Sequence, residues 1–304
     1  MKLGMVGLGK MGGNMARRLR RAGIEVVGYN RDAVATRKIA DECGLEAASS
    51  LADLVSRLPS PRVVWLMLPS GDSTEQTIEQ LKGMLTQGDV LIEGGNSNYK
   101  DSQRRAAAMK TVGVDYVDAG TSGGIWGLEN GYALMVGGEK AAVTRIEPIL
   151  KALAPAPDKG WLHCGPSGAG HFTKMIHNGI EYAMMQAYAE GFALMKGKTD
   201  FNMDLAAIAE MWRHGSVVRS WLLDLSAEFL AKDQTLEGIE PLVADSGEGR
   251  WTVNESVEQG VPAPVMTIAL MSRFDSQGRG DFGNKMLAMM RKGFGGHAVE
   301  GKAE

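Results

Sequence analysis

Four residues in the stretch GAGHFTKMIHNGIEY (168–182) have types and spacing suited to proton chemistry. Lys174, His177, Asn178 and Glu181 stand at i, i+3, i+4 and i+7, and at about 3.6 residues per turn these positions return to nearly one azimuth of a helix. One face then carries an amine, an imidazole, an amide and a carboxylate, a set able to take a proton, orient a polar substrate and return a proton. Phe172, Met175, Ile176 and Ile180 cover the other sides. The polar stripe is therefore expected to be buried or to line a cleft; the alternative is a solvated face that happens to hold an acid and a base. Gly165, Gly168 and Gly170, with Ser167 among them, predict a tight backbone entry into this helix.

The upstream half has the elements needed to position such a face. Lys2 to Val6 is a short apolar run, followed by Gly7, Leu8, Gly9, Lys10, Met11 and Gly12, and then by a helical pattern over Asn14 to Arg21. Strand, GxGxxG and helix in that order is the context of a dinucleotide fingerprint. The first glycine permits the turn, the second lets backbone approach a pyrophosphate, and the third lets helix pack on strand. The helix N-terminus then faces the phosphates. Ile24 to Tyr29 predicts the second strand, ending in Asn30, Arg31 and Asp32, where the adenosine ribose is read. Asn30 replaces the acid that would bind the NAD ribose, and Arg31 supplies a cation suited to the 2'-phosphate of NADP. Asp32 puts a carboxylate next door. The balance leans to NADP, with NAD as the alternative.

Val63 to Leu68 (VVWLML) and Val90 to Glu93 are continuous apolar runs of the kind found in a parallel sheet covered on both faces. Their C-terminal ends nominate Leu68, Pro69 and Asn96 for the nicotinamide half of a cofactor. Asp115 to Ala119 leads into Gly120-Thr121-Ser122-Gly123-Gly124, a loop whose amides and hydroxyl suit an anionic substrate group. Tyr132 to Val136 pairs nearby. After Glu147, prolines 148, 155 and 157 suggest an irregular passage. Beyond Gly165 the pattern becomes helical, over 171–196, 204–213, 217–230, 250–258 and 263–274. The fold class is thus an α/β Rossmann-type N-terminal domain (1–165) with a mainly parallel sheet, followed by an all-α C-terminal domain (166–304). Met184, Met185, Met195, Met286, Met289 and Met290 read as core filler, as do Trp212 and Trp221.

Bulk properties exclude several classes. The 304 residues, 44% of them hydrophobic, suffice for two cores. A net charge of −3 gives no nucleic-acid footprint. Arg17, Arg18, Arg20 and Arg21 read as a solvated helix face. Cys43 and Cys164 have no metal-ligand spacing and are too few for a disulfide framework, so no metal is expected and a reducing cytoplasm fits. No leader or membrane-spanning run is indicated.

Taken together, GLGKMG, the TSGG loop, KMIHNGIEY, GRWT and the tail FGGHAVE resemble the 6-phosphogluconate dehydrogenase family in its short form. The first two motifs also occur across the wider β-hydroxyacid dehydrogenases; the others are more specific. The resemblance implies oxidative decarboxylation of a sugar phosphate, with Lys174 as general base and Glu181 as general acid whose proton affinity burial would raise. It also implies substrate contacts from Asn96, Ser122, Gly123, Gly124, His177 and Asn178. The phosphate end would be formed by Tyr182, Arg273 and Arg250, with Arg291 and His297 supplied by a second subunit of a homodimer or homotetramer. Arg250 departs from the long-form pattern, which has Lys at this place in GKWT. Two other readings use the same fingerprint: a dehydrogenase of a small 3-hydroxy acid such as 3-hydroxyisobutyrate, and a cofactor-binding sensor without turnover.

Overall fold

The computed structural model describes residues 1–295 and 298–299. Its contacts divide the chain into two compact units, Met1–Met175 and Ile176–Glu304. Among the described residues the first unit holds a sheet of eight strands: β1 (Lys2–Val6), β2 (Glu25–Tyr29), β3 (Glu46–Ala47), β4 (Val63–Leu66), β5 (Val90–Glu93), β6 (Asp115–Ser122), β7 (Ala133–Gly137) and β8 (Trp161–Gly165). The order is β3-β2-β1-β4-β5-β6-β7-β8. All neighbours are parallel except β6 and β7. The chain steps outward from β1 to β3 and returns to β4, so the switch point lies between β1 and β4, where the GxGxxG turn sits.

Helices cover both faces, which explains why strands such as VVWL and VLIE are apolar throughout. On one face α1 (Lys10–Arg21) and α2 (Ala33–Cys43) contribute to the same core, joined further along the chain by the helix Lys140–Leu153. On the other face lie α3 (Leu51–Ser56), α4 (Asp72–Lys82) and α5 (Tyr99–Lys110). A short turn of helix, α6 (Gly127–Asn130), precedes α7, which is Lys140–Leu153. The irregular passage expected at Pro148 is instead the interior of α7. The buried Ile146, Ile149 and Leu150 offset the proline's lost hydrogen bond, which costs about 3 kcal/mol. The sequence pattern predicts no strand at β8 either; none of its residues is buried, Leu162 is exposed, and it lacks a continuous apolar run.

Of the α1 arginines, Arg21 is exposed, paired at the surface with Glu129, but Arg17, Arg18 and Arg20 do not form a solvated face. Arg18 donates to the carbonyls of Leu128, Glu129, Ala152 and Ala154. Arg20 donates to those of Cys43 and Ile24, and Arg17 pairs with Glu42. Each guanidinium satisfies carbonyls or a carboxylate from elements remote in sequence, which its fork of donors allows.

Helix α8 (Ala169–Gly197) begins in the first unit and continues into the second. The division at Met175 lies ten residues beyond the boundary read near 165, because the first turns of α8 pack on the sheet through Gly170 and His171. In the second unit α9 (Leu205–Trp212) and α10 (Trp221–Lys232) form a hairpin whose Leu205, Ala209, Leu223, Ala227 and Leu230 close a small core with Tyr188 and Phe192 of α8. It continues with α11 (Glu248–Gln259), α12 (Pro264–Ser276) and α13 (Asp281–Gly295). Trp212 and Met195 join the small core, but Trp221, Met184, Met185, Met286, Met289 and Met290 are exposed rather than core. Among the described residues no helix is long and apolar enough to cross a membrane.

Candidate active site

The fingerprint turn meets the steric demands of a dinucleotide cradle. A Cβ on Gly7, whose φ is 90°, would fall 2.3 Å from the Met67 carbonyl; one on Gly12 would fall 1.9 Å from the Gly7 carbonyl. Around Gly9 the space is open for 4 Å. The outer two glycines thus permit the turn and the close approach of helix to strand, while the middle one leaves its outer side clear for a phosphate. Gly9 caps α1 without a side-chain hydrogen bond, so the first-turn amides face outward. Lys10 is exposed beside them. Leu8 and Met11 differ from the expectation in kind: Leu8 is buried in the core and Met11 packs against it, so any role in holding a cofactor falls to their backbone.

At the end of β2, Asn30 is half-buried and Arg31 exposed. The Asp32 carboxylate is committed locally: Oδ1 accepts from the amides of Val34 (2.8 Å) and Ala35 (3.2 Å), making Asp32 the N-cap of α2. Leu68 is half-buried and Pro69 exposed beyond β4; the Pro69 carbonyl accepts from Thr74 Oγ1 at 2.8 Å.

The loop after β5 is set by a buried charge network that sequence reasoning missed. Glu93 is fully buried. Its Oε1 accepts from Gly95 N (2.7 Å), and its Oε2 lies 3.2 Å from Arg105 Nη1 and 3.3 Å from the Tyr116 hydroxyl. Arg105 also reaches Ser97 Oγ and Glu75. Burial, then the Glu93 charge, pushes the Tyr116 hydroxyl well above its ordinary proton affinity, so Tyr116 remains a neutral donor. Gly95 and Ser97 flank Asn96, which is held at φ 52°. Asn96 in turn brackets Thr121, accepting from its amide (2.9 Å) and donating to its carbonyl (3.1 Å). The network therefore fixes Asn96, and Asn96 fixes the start of the Ser122-Gly123-Gly124 loop. Gly123 and Gly124 have φ of 131° and 52°. The one sequence clue was a carboxylate ending the apolar run VLIE.

Lys174 is 5% exposed and lies against β6 at Gly120, where an added Cβ would come within 2.4 Å of the Lys174 Cβ. The buried polar stripe is thus realised at this residue. In the second unit, His177 Nδ1 lies 3.0 Å from Asn178 Oδ1 and 3.7 Å from Glu181 Oε2. The burial expected for Glu181 is not found: its side chain keeps 38% exposure, because Ile180 beside it is also on an open side of α8.

Tyr182 and Arg273 come together. The guanidinium stacks 3.5 Å from the ring centroid and donates to the Ala244 carbonyl at 2.7 Å. The Tyr182 hydroxyl lies 3.0 Å from Ser246 Oγ. Arg250 pairs with Asp245 and lies 5.0 Å over the Phe274 ring. Both arginines therefore frame residues 244–246. Arg291 does not stand on the irregular tail expected of it but is exposed on α13, which runs to Gly295. The helix-forming Lys285-Met286-Leu287-Ala288-Met289-Met290 outweighs the glycines that follow. His297 lies outside the described residues.

A mostly parallel sheet with a glycine fingerprint at its switch point, followed by a helical unit, defines a dinucleotide-binding protein of the Rossmann class. Two protein-family models match: the NAD binding domain of 6-phosphogluconate dehydrogenase over residues 2–165, and the 6-phosphogluconate dehydrogenase C-terminal domain over residues 170–298. The chain belongs to the 6-phosphogluconate dehydrogenase family. It is 43% identical over 303 residues to the NAD(+)-dependent, decarboxylating 6-phosphogluconate dehydrogenase of Haloferax volcanii, covering 99% of each chain. Against the NAD(+)-dependent, decarboxylating enzyme of Bacillus subtilis the identity is 35% over 285 residues, covering 90% of this chain but 60% of that longer one. The 6-phosphogluconate dehydrogenase of Plasmodium falciparum superposes with a TM-score of 0.85 at 27% identity, over 100% of this chain and 67% of that one. A 3-hydroxyisobutyrate dehydrogenase of Mycobacterium tuberculosis shares the fold, with a TM-score of 0.72 at 21% identity over 92% and 94% of the two chains. The family resemblance and the fold class read from the sequence are both borne out.

Proposed function

We propose that this protein oxidises 6-phosphogluconate at C3 and decarboxylates the product to ribulose 5-phosphate and CO2, working in the cytoplasm with NADP or NAD. The observation that carries this reading is a nearly fully buried lysine, Lys174, held against β6 at Gly120, next in the strand to Thr121 and Ser122. When bound at the Gly7–Gly12 turn, the nicotinamide cofactor supplies a hydride acceptor. Lys174 takes the proton of the C3 hydroxyl as the C3 hydride departs, a step that requires a neutral amine. The resulting 3-keto acid loses CO2 while the Lys174 ammonium polarises the carbonyl. Glu181 then protonates C1 of the enol to give the ketose. Asn96, Ser122, Gly123 and Gly124 orient the carboxylate end, and His177 and Asn178 the hydroxyls.

Tyr182, Arg250 and Arg273 serve the phosphate end, where bidentate guanidinium contacts suit the dianion. Arg291 and His297 complete this end from a second copy of the chain. The exposed apolar side chains of α12 and α13, among them Val265, Ile268, Phe282 and Leu287, support such an assembly.

Following absorbance at 340 nm with 6-phosphogluconate or 3-hydroxyisobutyrate, and with NADP or NAD, tests the reading. Turnover of the sugar phosphate is expected, and Lys174→Met is expected to abolish it while cofactor and substrate binding stay within about tenfold. Glu181→Gln is expected to spare alcohol oxidation more than pentulose release. Preference for 3-hydroxyisobutyrate, or no turnover of either, would overturn the proposal.

A further inference from the structure

We propose that Asp118 is a positioning residue for Lys174, setting the rotation and height of α8 so that the amine reaches the reacting hydroxyl. This rests on the reading of Lys174 as the base. Asp118 stands in the middle of β6, is fully buried, and spends both carboxylate oxygens on one helix start. Oδ1 accepts from Gly168 N at 2.6 Å and Oδ2 from His171 N at 2.8 Å. Lys174 follows His171 by three residues, less than one turn along the same helix.

The surface on which this turn rests holds it only loosely by shape, because the contact is made between glycines. A Cβ on Gly120 would lie 2.4 Å from Lys174 Cβ, one on Gly170 2.4 Å from the Met135 carbonyl, and one on Gly137 2.6 Å from Asp118 Oδ1. Gly137 is also the strand partner of Asp118. Bare backbone on both sides allows the closest approach but gives no interlock with the sheet against sliding or turning, the ring contact of Phe172 with Tyr99 at 5.2 Å being made to α5. Directional bonds must supply that interlock, and charge-assisted bonds from two amides to one carboxylate are short and strong. A second tie points the same way: His171 Nδ1 lies 2.7 Å from Ser102 Oγ of α5. A displacement of about 1 Å at a reacting group can cost on the order of 100-fold in rate, so the clamp bears on kcat rather than on binding.

The test uses the full chain with three substitutions. Asp118→Asn keeps one carbonyl acceptor and loses the other bond; Asp118→Ala loses both; Gly120→Ala keeps the carboxylate but pushes on Lys174 from the strand. The expected order of kcat is wild type, then Asn, then Ala, with about tenfold and about 100-fold losses, KM for cofactor and substrate within about threefold, and Gly120→Ala resembling Ala. If Asp118→Ala does not fold, Asp118→Asn decides alone. The rate at which acetic anhydride acylates Lys174, read peptide by peptide by mass spectrometry, is expected to change in every folded variant while the other lysines stay unchanged. This readout holds whether or not Lys174 is the base, so failure of the clamp and failure of the base assignment are separable. Unaltered kcat and acylation in Asp118→Asn, or a loss confined to KM, would overturn the proposal.

Discussion

In the N-terminal unit β4 and β5 are buried from end to end, and apolar clusters fill both faces of the sheet. In the C-terminal unit the core around α9 and α10 is small, and α13 exposes Phe282, Met286, Leu287, Met289 and Met290 along its length. Among the charges buried in the first unit, Glu93 is paired with Arg105, while Asp118 accepts from two backbone amides. A parallel sheet needs both faces covered by its own chain. A helix that is apolar on several sides is a candidate for covering by another surface, such as the second copy of the chain proposed above. The comparison teaches that the first unit closes two apolar clusters over its own sheet, whereas the second has a small core and leaves a row of apolar side chains exposed on α13.

The largest effect should come from breaking that surface. Replacing Phe282 and Met286 together with glutamate puts two charges, one turn apart, where each buried side chain would contribute about 1.5–3 kcal/mol. Sedimentation velocity is expected to show an oligomer for the wild type and a shift towards monomer for the double variant, with activity falling in parallel. A wild type that is monomeric at micromolar concentration would remove the contrast between the units.

A smaller effect tests whether the N-terminal unit's surface polar groups are structural or functional. Asp32→Ala removes the cap of α2 and should lower unfolding free energy by about 1 kcal/mol in urea titration. Asp32→Thr keeps a capping hydroxyl and drops the charge, so stability should hold while the NADP to NAD ratio of kcat/KM rises. An unchanged ratio would leave Asp32 as a cap alone.

The smallest effect concerns Glu75. The hydrogen bonds it accepts from Arg104, then the one from Arg105, hold its carboxyl at about 2 against an ordinary 4.5. The folded form binds that proton less tightly, so the stabilisation is complete above pH 4.5 and is lost as pH falls towards 2. Because the side chain is 42% exposed, solvent screening keeps the contribution below about 1 kcal/mol. Glu75→Gln should be slightly less stable at pH 7, with the gap closing through that window in thermal melts; a gap independent of pH would show that the pair contributes nothing electrostatic.

Much of the sheet was legible because parallel strands announce themselves as continuous apolar runs, and β1 and β5 fall where those runs do. Amphipathic helices between the strands were harder to bound, and β8 has no apolar run to read. At the site, Lys174 and Glu181 share α8 as their spacing requires. Yet the environment of each differs, since β6 covers the first and the second keeps a half-open side chain.

Local pattern thus determined the strands with continuous apolar runs, the fingerprint turn and the polar stripe of α8, since each depends on residues close together in sequence. Only tertiary structure decided which polar groups are already engaged. Arg18 reaches carbonyls up to 136 positions away, Arg105 reaches Glu75 over 30, and Asp118 holds the start of α8 from 50 residues upstream. Such partners are selected by the closure of the chain into a sheet, where desolvation drives most buried donors and acceptors to find a mate whatever its distance in sequence.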